Sequence, residues 1–161
     1  MTVRPAPPRV PVAAPPEVEW RLPRHFRSVG RARSLLRDQA ATWQLPSEAA
    51  EMAVLLLSEL MTNACWHARL PRGRHIAARC VRYADRLRVE VSDASSEMPK
   101  PRQAAPDDES GRGLALVAAL ADAWGAHPRD CGIGKTVWFE LGLPPGDSQP
   151  DAPQGAPVAD R

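Results

Sequence analysis

Several features that identify common classes of protein are missing from this sequence. Its 161 residues include three cysteines, none of them in a CxxC pair, so zinc knuckles and dithiol redox motifs are not indicated. Lysine is present only as Lys100 and Lys135, and the arginines are spread along a chain of net charge +2, which gives no argument for a nucleic-acid partner. No run of 18 apolar residues exists, and the first residues lack the apolar segment of a signal peptide. The sequence therefore predicts a soluble, cytoplasmic protein that contacts neither nucleic acid nor membrane.

Proline is concentrated at the two ends of the chain. Residues 1–16 contain six prolines and residues 144–161 contain five, too many for helix interiors or central strands. We expect both segments to be disordered or loosely extended tails. The middle of the chain, 17–143, is long enough to form one domain with a hydrophobic core.

Hydrophobic periodicity predicts helices and strands in this middle part. The predicted order is a strand over Glu17–Pro23, helices over 29–43 and 46–68, strands over 75–82 and 86–93, a helix over 114–124, and strands over 126–130 and 135–142. Ser28 is the predicted N-cap of the first helix and Gly125 the predicted C-cap of the third. This order indicates an α+β fold in which helices pack on one face of a mixed or mostly antiparallel sheet.

The second predicted helix is apolar on nearly all sides but carries three polar residues at a spacing of four, Glu59, Asn63 and His67. On a helix this spacing stacks them on one face. Magnesium prefers oxygen ligands and shares the phosphates of its nucleotide, so Asn63 is a candidate ligand of Mg²⁺. Glu59 is a candidate general base, and His67 a candidate donor to a phosphate oxygen. Spacing alone leaves open that these residues only cap the helix end and meet solvent.

Asp93 closes a predicted strand and is followed by a long polar segment, 94–110. A carboxylate there can accept a hydrogen bond from the exocyclic amine of adenine, whereas guanine has a carbonyl at the same edge, so Asp93 would favour ATP over GTP. The alternative is a turn aspartate that caps its own loop. A structureless segment as long as 94–110 inside a compact domain is usually functional or disordered.

Two glycine-containing turns are also candidates for nucleotide contacts. Gly111-Arg112-Gly113-Leu114 opens the third predicted helix, where glycines let the backbone approach a phosphate and the helix N-terminus favours anions. Gly134-Lys135-Thr136 opens the last strand, and Thr136 could reach a base through a water molecule. Ordinary loop and hairpin turns explain either motif taken alone, and the sequence contains no GxxxxGK[ST] P-loop.

Taken in this order, the motifs resemble those of the GHKL superfamily, the histidine-kinase-like ATPase domains. Glu59-x-x-x-Asn63 followed by His67-Ala68 is similar to the N box, Asp93 to the aspartate of the first glycine box, and the two turns to the GxGL and GT-type boxes. The stretches 58–64, 111–117 and 121–125 are most similar to a small branch of anti-sigma-factor serine/threonine kinases. The resemblance covers about residues 18–143.

The resemblance implies a two-layer α/β sandwich of the Bergerat type that binds ATP and Mg²⁺. Asn63 would ligate magnesium, Glu59 would be the catalytic carboxylate, and Asp93 would recognise adenine. Further cofactor-binding residues implied by the motifs are His67, Gly111, Arg112, Gly113, Leu114 and Thr136. Segment 94–110 would be the ATP lid. Similar proteins phosphorylate a serine on an anti-anti-sigma protein of the STAS type and sequester a sigma factor, and they often dimerise, so a homodimer is open.

One motif departs from the family pattern. The first glycine box is DxGxG in the family, but Asp93 is followed here by Ala94-Ser95-Ser96-Glu97. The missing glycines remove backbone freedom beside the expected adenine site and put kinase turnover in question. A second hypothesis is therefore a regulatory module that holds ATP, or has lost it, and works through protein contact alone. A catalytic fragment of a histidine kinase is disfavoured, because no helical hairpin with a phosphoacceptor histidine precedes the domain.

Overall fold

The computed structural model of the protein describes residues 13–66, 74–95, 97–99 and 109–145. The predicted tails, 1–16 and 144–161, fall mostly outside these residues, as do His67 and most of the predicted lid, 94–110. None of the helices in the described part combines the length and the apolar character that crossing a membrane requires.

Five strands form one sheet within the described residues, and all neighbouring strands are antiparallel. The strands are β1 (Glu17–Pro23), β2 (His75–Arg82), β3 (Arg86–Asp93), β4 (Ala123–Pro128) and β5 (Lys135–Gly142). Their order across the sheet is β1-β2-β3-β5-β4, which places β3 at the centre. The prediction of an α+β fold is confirmed, and the sheet of these strands is antiparallel rather than mixed.

Three helices of the described chain cover one face of this sheet. They are α1 (Arg27–Thr42), α2 (Ser47–Trp66) and α3 (Glu109–Leu120). The long helix α2 contacts α1, α3, β3 and β5, so it is the central helix, as its apolar character predicted. The core lies between the two layers, and its largest fully buried side chains include Leu36, Leu56, Leu57, Met61, Ile76, Val89, Val117 and Phe139.

The other face of the sheet carries a chain of ion pairs. Arg88 donates to Glu90 at 2.7 Å and to Glu140 at 3.1 Å, while Arg79 pairs with Glu90 at 3.2 Å and also with Glu17. Burial alone would raise the pKa of Glu90, but hydrogen bonds from Arg88 and Arg79 outweigh it and hold that pKa below its ordinary value. The charges of this face are therefore paired with one another within the sheet.

The third helix and the fourth strand differ from the prediction. α3 covers Glu109–Leu120 rather than 114–124, so the first glycine motif lies in its first turns and not in a loop before it. Trp124 and Gly125, predicted to end this helix, lie in β4 and pair with β5. A Cβ on Gly125 would come within 2.9 Å of the Trp138 ring, so this glycine permits close packing across the sheet and is not a C-cap.

The start of α1 also differs from the prediction. Ser28 was expected to be the N-cap, but Phe26 occupies that position and Ser28 lies inside the helix. The Ser28 hydroxyl donates to the carbonyl oxygen of Pro23 at 2.5 Å, which ties the first turn of α1 to the end of β1. The serine therefore joins two elements instead of capping its own helix.

The three cysteines are free and lie in different surroundings. Cys80 is buried in β2, and burial raises the pKa of its thiol to about 12. Cys65 is half-buried near the end of α2, and Cys131 is exposed in the β4–β5 turn.

Candidate functional site

The acidic and amide residues predicted to share a helix face do so in the structure. Glu59 and Asn63 both lie in α2, one turn apart, and both are half-buried. They border the buried stripe of the helix, which includes Leu56 and Leu60. The apolar neighbours fix α2 against the sheet, so the two polar side chains project from a rigid support at the edge of the core.

Gly113 of α3 lies directly against these two side chains. A Cβ added to Gly113 would come within 2.8 Å of Glu59 Oε2 and 3.7 Å of Asn63 Nδ2. The chain 50 residues downstream therefore approaches α2 at this point, and only a glycine leaves the space between them open. We call Glu59, Asn63 and Gly113 the helix cluster. It joins the N-box and GxGL-box residues that the sequence singled out.

The polar atoms of the helix cluster are available to a ligand. Within the part of the chain that the structure describes, neither the Glu59 carboxylate nor the Asn63 amide makes a hydrogen bond to another residue. A carboxylate and an amide oxygen are the ligands that a hard cation such as Mg²⁺ prefers. The helix cluster therefore fits a magnesium ion that also binds phosphate oxygens.

Asp93 lies at the end of β3, on the helix-covered face of the sheet, and is 6% exposed. It pairs in register with Lys135 of β5, which is 5% exposed. Lys135 Nζ lies 3.2 Å from each carboxylate oxygen of Asp93, and the Ser95 N–H donates to Asp93 Oδ1 at 2.8 Å. The carboxylate expected to recognise adenine is thus already paired with a buried lysine.

Gly134 holds the ends of β3 and β5 together. Its φ is +88°, in the region that L side chains rarely adopt, and a Cβ there would overlap the carbonyl oxygen of Asp93. Backbone geometry therefore demands glycine at this position. We call Asp93, Ser95, Gly134 and Lys135 the strand cluster. It lies on the face against which α2 packs, so both clusters are on the same side of the sheet.

Other residues predicted for the site are placed differently. Thr136 pairs with Ser92, one residue away from the Asp93–Lys135 pair, so it lies on the opposite face of the sheet. Its hydroxyl is 2.7 Å from the Ser92 hydroxyl. The structure therefore does not bring Thr136 together with Asp93, and its contact with a base stays a prediction. Leu114 is 5% exposed and its side chain packs in the core, while a contact of this residue with a ligand stays a prediction.

The remaining predicted residues are described only in part. The backbones of Gly111 and Arg112 belong to the first turns of α3, and their side-chain surroundings are outside what the structure describes. His67 follows α2 directly and lies outside the described residues.

The sequence did not single out Lys135 or Gly134 for a role of their own. Gly134 ends the turn before the last strand and Lys135 begins that strand, and their motif was noted only as a glycine turn. A usable signal was present, because Lys135 is one of only two lysines and follows a glycine in a strand that alternates with apolar residues. Its partner could not be identified, since this requires the register between β3 and β5.

A comparison with protein-family models finds one that spans most of the fold. Residues 22–140 match the model described as a histidine kinase-like ATPase domain. No curated protein matches the chain. The matched segment covers well over half of the sequence and includes both the helix cluster and the strand cluster. The chain therefore belongs to the family of histidine kinase-like ATPase domains, which implies that it binds ATP.

Proposed function

We propose that the helix cluster binds the phosphates of ATP together with Mg²⁺. The observation that carries this proposal is the approach of Gly113 to Glu59 and Asn63, two half-buried polar side chains that make no hydrogen bond to another described residue. The Asn63 amide oxygen would ligate magnesium without adding a charge beside the triphosphate. The first turns of α3 would offer backbone N–H groups to the phosphates, because the N-terminus of a helix favours anions.

The strand cluster would bind the purine base at the other end of the nucleotide. Asp93 keeps a lone pair on Oδ2 that can accept a hydrogen bond from the exocyclic amine of adenine. Bound Mg-ATP would supply the phosphoryl group for transfer. Glu59 would accept the proton of an incoming hydroxyl, since it is a carboxylate beside the proposed phosphate position.

The finer function that we propose is that of an anti-sigma-factor type serine/threonine kinase. Such a protein phosphorylates a serine on a STAS-type partner, sequesters a sigma factor, or does both. Membership of the ATPase family supports phosphoryl transfer from ATP. The resemblance of the stretches 58–64, 111–117 and 121–125 to this branch supports the choice of partners.

Calorimetric titration with ATP tests the binding proposal. We expect the wild type to bind ATP more tightly with Mg²⁺ than with a chelator, and Asn63→Ala to lose about 10- to 100-fold in affinity when Mg²⁺ is present. Thr62→Ala is the matched control, because Thr62 is the adjacent residue of α2 and points about 100° away around the helix. Equal Mg²⁺-dependent affinity in Asn63→Ala and Thr62→Ala would refute the magnesium role.

Transfer of labelled γ-phosphate to a STAS-type protein tests the kinase proposal. Glu59→Gln keeps the shape of the side chain but cannot accept a proton, so we expect the rate to fall about 100-fold or more. Glu51→Gln is the control, since Glu51 lies two turns earlier on α2 and its side chain is 68% exposed beside Arg37. Label transfer at the same rate in both variants would remove Glu59 from the reaction.

A regulatory module without turnover is the second candidate function. It is favoured by the strand cluster, where Asp93 is paired with Lys135 and Ser95 stands at the first glycine position of the DxGxG pattern. A protein of this kind would bind its partner through surface contacts alone. Partner binding that is unchanged by Asn63→Ala and by removal of nucleotide would support this function over the kinase.

A further inference from the structure

Lys135 is a buried lysine to which the proposed nucleotide site assigns no role. Only 5% of the residue is exposed, and fully buried lysines are rare in proteins unless they are paired. Its ammonium has three N–H donors and three acceptors nearby, the two carboxylate oxygens of Asp93 at 3.2 Å and the carbonyl oxygen of Ser95 at 3.5 Å. The register of β3 and β5 places it there, so the pair is part of the fold.

These contacts divide the carboxylate of Asp93 into two unequal halves. Oδ1 accepts from both the Ser95 N–H and Lys135, whereas Oδ2 accepts from Lys135 alone. Each carboxylate oxygen has about two lone-pair sites, so Oδ2 retains one acceptor site for a ligand. On the lysine, the contact to the Ser95 carbonyl is the weakest, because 3.5 Å is beyond the usual N–H···O distance. That N–H is the one that a ligand oxygen can take most easily.

An aspartate on its own offers a purine only acceptors. It would hydrogen-bond the amine at C6 of adenine and repel the carbonyl oxygen at C6 of guanine or hypoxanthine. An aspartate paired with a lysine offers an acceptor and a donor at the same place. The carbonyl oxygen of a 6-oxopurine would then meet an ammonium, while its N1–H would meet the carboxylate.

We propose that Lys135 is a specificity-determining residue of the nucleotide site, which admits 6-oxopurine nucleotides alongside ATP by pairing its buried ammonium with Asp93. This inference rests on the proposed nucleotide binding and concerns the base end of the same site. It makes the Lys135 side chain responsible for which purine bases the site accepts. The phosphate end, formed by Glu59, Asn63 and Gly113, is unaffected by it.

Competitive titration with the magnesium complexes of ATP and inosine triphosphate tests the inference. We expect the wild type to bind the two within about tenfold of each other, and Lys135→Met to raise the preference for ATP by a further tenfold or more. Lys135→Arg keeps a charged donor of different shape and is expected to lie closer to the wild-type ratio than Lys135→Met does.

Arg21→Met is the matched control for loss of a positive charge. Arg21 lies on the opposite face of the sheet and its side chain is 78% exposed, so the ratio of the two affinities should not change. An unchanged ratio in Lys135→Met as well would overturn the inference. Absence of any binding of either nucleotide to the wild type would overturn the proposed function, and the inference with it.

A measurement on the wild type alone covers the case in which Lys135→Met does not fold, which circular dichroism would reveal. Purine riboside triphosphate has neither amine nor carbonyl at C6. If the ammonium meets the C6 carbonyl, inosine triphosphate binds at least as tightly as purine riboside triphosphate. If inosine triphosphate binds about tenfold more weakly, the C6 carbonyl is not met by the ammonium and the inference is wrong.

Discussion

The helix cluster and the strand cluster hold polar groups in opposite ways. In the helix cluster, Glu59 and Asn63 are half-buried on α2 and make no hydrogen bond to other described residues. In the strand cluster, Asp93 and Lys135 are almost fully buried, and each makes more than one hydrogen bond. The polar side chains of the helix cluster can therefore hydrogen-bond a ligand, whereas those of the strand cluster use most of their donors and acceptors within the protein.

The difference follows from the elements that build each cluster. A single helix positions Glu59 and Asn63, and their tips can rotate because only their stems are held. Two paired strands position the strand cluster, and the close approach of Gly134 to the Asp93 backbone leaves little freedom. A deformable helix cluster and a rigid strand cluster suit the roles proposed for them, because phosphates move during transfer while the base only anchors the molecule.

Of the substitutions considered, Gly134→Ala in the strand cluster should reduce the stability of the protein most. The new Cβ would overlap the carbonyl oxygen of Asp93 at a φ of +88°, so we expect a loss of about 4 kcal/mol or more in urea unfolding. Gly132→Ala is the matched control, because Gly132 also has a positive φ, +76°, but has no atom within 4 Å of an added Cβ. It should lose only about 1 kcal/mol. If both variants lose the same free energy of unfolding, the positive φ explains the loss and the overlap with the Asp93 carbonyl oxygen does not.

Removing one partner of the buried ion pair should have the next largest effect. Asp93→Ala leaves the Lys135 ammonium buried without its counter-charge, and we expect a loss of about 3 kcal/mol in the free energy of unfolding. Asn63→Ala removes a half-buried side chain that makes no hydrogen bond to another described residue, so it should cost less than about 1 kcal/mol. The double variant Asp93→Ala/Lys135→Met should recover part of the loss. If Asn63→Ala proves as destabilising as Asp93→Ala, the contrast between the clusters is wrong.

The sequence predicted the helix cluster better than the strand cluster, because the residues of the helix cluster on α2 are close in sequence and the paired residues of the strand cluster are far apart. Glu59 and Asn63 are four residues apart, so the helical repeat alone places them on one face. Lys135 and Asp93 are 42 residues apart, and only the register between β3 and β5 joins them. A shift of one residue in that register reverses the faces of a strand, so the motif alone could not show that Lys135 and not Thr136 lies on the face of Asp93.

The boundaries of α3 were missed for a similar reason. Two glycines indicated a loop at 111–113, yet the helix begins at Glu109, where its first turns pack against α2. Apolar spacing continued to Trp124, but pairing with β5 draws 123–128 into a strand. In both places long-range packing outweighs the local preference of the sequence.

Gly113→Ala should change stability least and so gives the sharpest comparison with Gly134→Ala. Its Cβ would lie 2.8 Å from Glu59 Oε2, the mobile end of a side chain, and the helix gains from replacing a glycine. These effects offset one another, so the free energy of unfolding should change by less than about 0.5 kcal/mol. Gly30→Ala is the control, because Gly30 lies in the first turns of α1 with no atom within 4 Å of an added Cβ, and it should stabilise by about 0.5–1 kcal/mol.

Gly113→Ala and Gly30→Ala should differ more clearly in their affinity for ATP than in their stability. The added methyl group of Gly113→Ala displaces Glu59 and narrows the approach to Asn63, so we expect ATP affinity to fall about tenfold, while Gly30→Ala binds as the wild type does. A Gly113→Ala protein that unfolds as readily as Gly134→Ala would contradict the view that the helix cluster is deformable. A stable Gly113→Ala protein with wild-type affinity would place the phosphates away from this glycine, because a ligand between α2 and α3 must meet the new side chain.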